Sequence, residues 1–530
     1  MEESIQPPMI IRRGRWEMAH YQDLLDIPMY NIPTIRALPR IFSREDTITA
    51  LAKMPAYNPK NRSARAEDRL HMIQADMLEW FEPLPIHIDL EQRLSRVIRG
   101  SLPYRNPFKP GYYGEANSKI DELETLIRMR TPTVEQRTTA LGFAMIGMSG
   151  MGKTTTLERI FATYPQVILH REYEKHPFPF QQLVWVHMDC PPDGSLRALC
   201  LNFITTVDDI LGTTYRKTHV RRMTTADMLM PVMAMIVSNH NLGVLVVEEV
   251  QNANAATSGG SEALLNALVH LVNTIGVPII YGGTFASWPL LTRQFRQIRR
   301  GSGQGDFIWE RMDRNTEDWA NLIESMWQFQ YTRHNTPITS ELMDVLFDEC
   351  QGITDFAIKV FMLAQWRAIT TGRERITSAL IRSVAHDSLR SSRHVLDALR
   401  GNVTLEDLTK LGDVYPPDMS LFNTEKPVNA SVPTESTIAS TTGSDHAEQT
   451  LATPGRSKPK RSHGNDSLSN DSTVVPDEVP VATAERVNTG TDSDSSPAEP
   501  TLRQLAQECE KAGISLHTGL QAQDLGFASL

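Results

Sequence analysis

Short apolar runs alternate with helical periodicity through the middle of the chain. Leu141–Ile146, Val167–His170, Leu183–Met188, Val244–Val247, Val277–Tyr281 and Met326–Gln330 have strand length and strand composition. Between most of them apolar residues recur every three or four positions, as at Leu157, Ile160 and Phe161. This alternation predicts an α/β unit over residues 116–330, a parallel sheet with helices on both faces. Downstream, Ser340–Cys350, Phe356–Ile369 and Thr377–Leu389 are amphipathic, with turn or cap residues at Gly352, Gly372 and Thr377. They predict a small helical lid within 331–412. Residues 1–115 are short helical pieces, such as Ala66 to Phe81, punctuated by Pro33, Pro39, Pro55, Pro59, Pro83 and Pro85, and read as an accessory region. From 413 to 500, Ser, Thr, Pro, Asp and Glu dominate. Such a segment buries too little apolar surface to offset its ordering entropy, so a disordered linker is expected. Helical periodicity returns at Thr501–Gly513 through Leu502, Leu505 and Cys509. Residues 501–530 therefore read as a docking peptide on a long tether.

The bulk figures agree with a multidomain chain. At 530 residues it is too long for one compact core. The formal charge of −10 means that any binding of DNA must use a local basic surface. Cys190, Cys200, Cys350 and Cys509 show no C-x-x-C spacing, so reduced thiols are expected and nothing argues for zinc or disulfides. Met1–Arg15 lacks the apolar core of a secretory signal, and no stretch is long and apolar enough to span a bilayer. A cytoplasmic protein without a membrane partner is the expectation.

The chemistry centres on Gly147-Met148-Ser149-Gly150-Met151-Gly152-Lys153-Thr154, the pattern G-x-x-x-x-G-K-[ST] of a phosphate-binding loop, followed by Thr155. It lies between an apolar strand and an amphipathic helix, the context that the motif requires. Its glycines let backbone N–H groups curl around a phosphate, and the helix N-terminus adds its positive dipole end. Lys153 is expected to reach the β- and γ-phosphates of ATP, and the Thr154 hydroxyl to sit on Mg²⁺. Val244–Val247 then runs into Glu248 and Glu249, a buried strand ending in two acids. Glu248 is expected to orient Mg²⁺, although Asp is commoner at this position; Glu249 is the candidate general base. Thr284, after the next apolar strand, is the candidate polar sensor of the γ-phosphate. Arg293, Arg296, Arg299 and Arg300 follow, and one of Arg296, Arg299 and Arg300 is the candidate finger that reaches a neighbouring protomer's nucleotide.

Two further basic stretches stand out. Tyr215 to Arg222 holds Arg216, Lys217, Arg221 and Arg222, a composition suited either to phosphate-backbone contacts with double-stranded DNA, without base readout, or to a solvated loop. Lys458-Pro459-Lys460-Arg461 lies in the linker and reads as a solvated run. Arg96 to Gly100 with Tyr104 to Pro107 reads either as an exposed turn that covers a base or touches a neighbouring subunit, or as an ordinary surface turn.

At these residues the chain resembles TnsC, the AAA+ ATPase regulators of Tn-seven-like heteromeric bacterial DNA transposons. The likeness covers about residues 95 to 400, with a weaker one in the last thirty or so. Beyond the ATPase motifs it is carried by Ala162 to Ile168, His170 to Glu172, Asp193 to Leu196 and Cys200 to Phe203. It continues through Gly259 to Ser261, Val272 to Pro278, Arg299 to Gly301, Gly352 to Asp355, Lys359 and Leu363 to Gln365. The resemblance implies an AAA+ core and lid. It implies an ATP-dependent homo-oligomer, ring or filament, around target DNA that links a target-selection protein to the transposase. Hydrolysis to ADP and phosphate would disassemble it. By the same resemblance the C-terminal peptide would dock the transposase and the N-terminal region would meet the target selector. The departures are Glu248 in place of Asp, and Asp355 and Lys359 where related ATPases often carry an arginine at the start of the Phe356 helix. The alternatives are a replication initiator or helicase loader, which usually appends a helix-turn-helix domain after the lid, and a signalling scaffold, which would carry repeats; a low-complexity tether follows instead, and no repeat is visible.

Overall fold

The computed structural model describes residues 12–23, 27–129, 142–255, 260–288, 290 and 304–401. The chain divides into two units, Met1–Phe422 and Asn423–Leu530, and every described residue lies in the first. The linker, the C-terminal peptide, the 458–461 cluster and Arg293, Arg296, Arg299 and Arg300 fall outside the described residues.

Eight strands are described, in two sheets. They are β1 Trp16–Met18, β2 Phe143–Gly147, β3 Val167–Tyr173, β4 His176–Leu183, β5 Trp185–Asp189, β6 Val244–Glu248, β7 Ile279–Gly283 and β8 Phe307–Trp309. The central sheet has the order β5-β6-β7-β2-β8 and is parallel throughout. Its middle strands, β2, β6 and β7, are buried at every position, which is why they read as unbroken apolar runs. Because these strands are parallel, β2, β6 and β7 all end at the same edge, the place where ligands bind in helix-flanked sheets of this kind.

The small sheet has the order β1-β3-β4. The Val167–His170 run, expected in the parallel sheet, belongs here instead, as part of a hairpin with β4. The turn is Glu174-Lys175, both at positive φ (50° and 66°), the backbone that a two-residue hairpin needs. β1 adds in parallel to the other edge of β3, Trp16 opposite Val167.

The sixth expected strand, Met326–Gln330, is not one. Glu317–Trp327 is a helix, capped by Thr316 and burying Trp319, Leu322, Ile323, Met326 and Trp327. Those positions recur at three- and four-residue spacing, so the apolar residues at 326–330 are the tail of an amphipathic face. The edge of the sheet is supplied by β8, only three residues long. The expected lid helices form as Ser340–Cys350, Thr354–Thr370 and Ser378–Ser388.

Residues before 116 share one hydrophobic core with the sheet and the lid: Ile73, Met77, Leu94 and Ile98 cluster with Ile146, Val246, Phe361 and Leu380. The helix Ala66–Glu79 packs on Thr354–Thr370. There Arg69, 1% exposed, makes a two-pronged bond to Glu374 (2.8 and 2.7 Å) and donates to Tyr331 O at 2.9 Å. Arg99 and Arg105, read as part of an exposed turn, are buried. Arg99 donates to Pro39 O and Ser95 Oγ, and Arg105 to Leu242 O and Ser101 Oγ. They satisfy interior carbonyls; Arg96 and Tyr104 are the exposed members of this group.

Candidate nucleotide site

The phosphate loop turns between β2 and the helix Lys153–Ala162. Gly150 and Gly152 adopt φ of +82° and +88°, a left-handed backbone that favours glycine. Gly147 is needed for a different reason: a Cβ there would lie 2.4 Å from Trp309 O, against the neighbouring edge strand. Met148 and Met151 are 3% and 2% exposed and belong to the core, while Ser149 and Thr155 are exposed. Lys153 Nζ donates back across the loop to Gly147 O (2.9 Å) and Met148 O (2.7 Å). The lid meets this loop directly: Asp355 N–H donates to Gly150 O at 3.0 Å, and Asp355 and Ile353 line the space beside Gly150. Lys359 Nζ, one turn on, donates to Asp355 at 2.6 Å.

Glu248, at the end of β6, comes to the loop through Thr154, whose hydroxyl donates to Glu248 Oε1 at 2.9 Å. The other oxygen is engaged twice, by His187 Nε2 at 2.7 Å and by Arg12 Nη2 at 3.4 Å. His187 lies on β5, beside β6, and Gly282 on β7 leaves room for the longer glutamate arm, because a Cβ there would meet Glu248 Cγ at 2.9 Å. Burial works to raise the Glu248 carboxyl, but His187, Arg12 and the Thr154 hydroxyl outweigh it and hold it below its ordinary value.

Glu249 follows at φ +54° with its side chain exposed. Its carboxylate accepts from Gln251 Nε2 at 2.6 Å, and Gln251 Oε1 accepts from Thr284 N–H at 3.2 Å. Thr284, directly after β7, is 6% exposed. The structure thus brings Lys153, Thr154, Glu248, Glu249 and Thr284 to one edge of the sheet. A hydroxyl and a carboxylate beside a glycine loop and a helix N-terminus are hard-oxygen donors of the kind that suits Mg²⁺ with a nucleotide triphosphate. Thr154 and Glu248 would hold the ion, and the loop backbone and Lys153 the phosphates.

Sequence reading missed His187, Gln251, Asp189 and the placement of Arg12. His187 left a signal, a lone polar residue inside the run Leu183–Met188. Arg12 was visible only as one of three arginines near the start; its partners are more than 140 residues away in sequence.

The basic stretch sits elsewhere in the unit. Tyr215–His219 is a short helix rather than a loop. Asp208 pins it by accepting from the backbone N–H groups of Tyr215 and Arg216, both at 2.7 Å. Arg216, Lys217, Arg221 and Arg222 are all exposed, and Met223 beside them is 84% exposed. Among the described residues no helix is long and apolar enough to cross a membrane.

A family profile described as an AAA domain matches residues 136–287, which hold the loop, both acids and Thr284. The fold is that of an AAA+ domain: a parallel sheet flanked by helices, followed by a helical part, with a P-loop nucleotide-binding site. Among solved structures the chain is similar to the ORC2 protein of Aeropyrum pernix in ADPNP-ADP complexes, at 12% identity, 62% of this chain, 83% of that chain and a TM-score of 0.32. It is similar to Drosophila ORC bound to DNA at 12% identity, covering 72% and 86%, with a TM-score of 0.32. A third is the RuvB Holliday junction branch migration motor of Thermotoga maritima, at 13% identity, 60% and 90% coverage and a TM-score of 0.28. No curated protein sequence matches the chain.

Proposed function

We propose that this chain is an ATP-dependent, DNA-binding regulator of DNA transposition, which assembles on target DNA and is released by hydrolysis. The observation that carries the ATP-dependent part is the bond from Thr154 of the phosphate loop to Glu248, with Glu249 and Thr284 at the same ends of the parallel strands. In this reading Lys153 contacts the β- and γ-phosphates, and Thr154 and Glu248 bind Mg²⁺. Glu249 takes a proton from the attacking water, and the Gln251 amide holds Glu249 beside Thr284. One of Arg296, Arg299 and Arg300 completes the site of an adjacent protomer, which couples nucleotide to oligomer.

Arg216, Lys217, Arg221 and Arg222 form the DNA contact, in a chain whose net charge of −10 otherwise repels a duplex. The link to transposition rests on the sequence likeness to TnsC. Residues 501–530 dock a transposase subunit, and the N-terminal region meets a target-selection protein. Electron microscopy of the full chain with duplex DNA tests the reading. Rings or filaments on DNA with a non-hydrolysable ATP analogue, and bare DNA without it, are expected. Bare DNA in both would refute it.

A further inference from the structure

The chain's first described residues reach into the nucleotide site. Arg12 is half-buried, its side chain 12% exposed, although it lies near the chain start. Its guanidinium donates to Asp189 Oδ1 at 3.0 Å and Glu158 Oε1 at 3.4 Å, and pairs with the Glu248 carboxylate, Nη2 to Oε2, at 3.4 Å. Those three acids come from the end of β5, from the helix that follows the phosphate loop, and from the end of β6. Glu248 is the acid that Thr154 also bonds.

The arm that carries Arg12 is gripped along its length. Gln166 accepts from Gly14 N–H at 2.7 Å and donates to Arg12 O at 3.1 Å. Gln166 N–H donates to Arg15 O at 2.8 Å, and Arg15 reaches back to Ala162 O and Thr163 O at the end of the loop helix. Gly14 passes Trp185 so closely that a Cβ would lie 2.5 Å from its ring. β1 then runs beside β3. A surface arginine needs none of this; the backbone is fixed from Arg12 O through Met18, so that the Arg12 side chain enters the acid cluster.

We propose that Arg12 is a positioning residue of the nucleotide site, and that through it the N-terminal arm sets the Mg²⁺ requirement for nucleotide binding. This rests on the nucleotide reading above and adds its regulation. The physical reason is charge. A guanidinium on Glu248 cancels part of the carboxylate's attraction for a second cation, so Mg²⁺ binds more weakly while Arg12 is in place. By linkage, Mg²⁺ binding weakens the hold on the arm by the same factor. A partner that pulls the arm away would thereby strengthen nucleotide binding.

The test is binding of a fluorescent ATP analogue to the full chain, titrated with Mg²⁺, for the native protein, Arg12→Ala and Arg12→Lys. A partly buried ion pair of this kind implies a half-saturating Mg²⁺ concentration about tenfold lower in Arg12→Ala, and one restored toward the native value in Arg12→Lys. Hydrogen exchange of native residues 12–18 is the second readout, and rises on adding Mg²⁺ with the nucleotide. A merely structural Arg12 would lower the melting temperature of Arg12→Ala and move neither quantity. An unchanged Mg²⁺ midpoint, or for an unfolded variant an unchanged exchange rate in the native arm, overturns the proposal and leaves the nucleotide site standing. A native chain that binds no analogue at any Mg²⁺ concentration overturns both.

Discussion

The side-chain amide of Gln251 donates to the Glu249 carboxylate at 2.6 Å, while its carbonyl oxygen accepts from Thr284 N–H at 3.2 Å. One side chain thus ties the candidate base to the strand end that carries the candidate sensor. Gln251→Ala is expected to lower the rate of ATP hydrolysis by about tenfold, by loosening the base, with nucleotide affinity nearly unchanged. Steady-state kinetics beside equilibrium binding separates the two effects. Equal losses in both would show a structural role instead.

Glu249→Gln keeps the shape of the site and removes the base. Hydrolysis should fall by about 10²-fold or more, with ATP still bound and DNA assemblies long-lived. Single-turnover assays check the rate, and fast turnover in this variant would refute the assignment.

Lys153→Ala removes the cation that bonds Gly147 O and Met148 O across the loop. Nucleotide affinity should fall by about a hundredfold or more, as charged contacts to phosphate are lost, and nucleotide-dependent DNA assembly should vanish with it. Calorimetry measures the first and gel filtration with duplex the second.

Neutralising Arg216, Lys217, Arg221 and Arg222 together should weaken binding to every duplex alike. If each meets one phosphate, the slope of log affinity against log salt should flatten by about 3 to 4. Fluorescence anisotropy over a salt series reads it. A loss confined to one sequence would indicate base readout instead.

Much of this site was legible because its parts are local. A glycine loop between strand and helix, and two acids after four apolar residues, are each contained within ten residues. The helical lid was legible for the same reason, since each helix carries its own apolar period and Thr339 and Thr377 cap two of them. What sequence could not show was pairing over distance. β4 contains Pro177 and Pro179 and has mixed polarity, and β8 is only three residues long. Met326–Gln330 misled because a short apolar window cannot distinguish a strand from the tail of a helical face. Arg99 and Arg105 looked like surface charges, but their donors satisfy buried carbonyls. Arg12 meets Glu248 only after the chain has folded, so its role had no local signal.

Arg69 and Glu374 give a test of how the N-terminal helix is joined to the lid. The Arg69 hydrogen bonds, against partial burial, hold the Glu374 carboxyl below its ordinary value. The group's stabilisation is therefore present above the unfolded carboxylate pKa of about 4.3, and is lost as pH falls through the lower folded value. Glu374→Gln should cost about 3 kcal/mol near neutral pH, because it leaves the buried Arg69 charge uncompensated. It should also flatten the acid limb of the stability curve. Denaturant unfolding at a series of pH values checks both.

The most direct measurement is the sedimentation of a labelled duplex with the full chain, in nucleotide-stripped, ADP and ATP-analogue conditions. A bound triphosphate that joins neighbouring copies around DNA predicts large complexes with the analogue alone. The same complexes in stripped protein, or none with the analogue, would contradict the account.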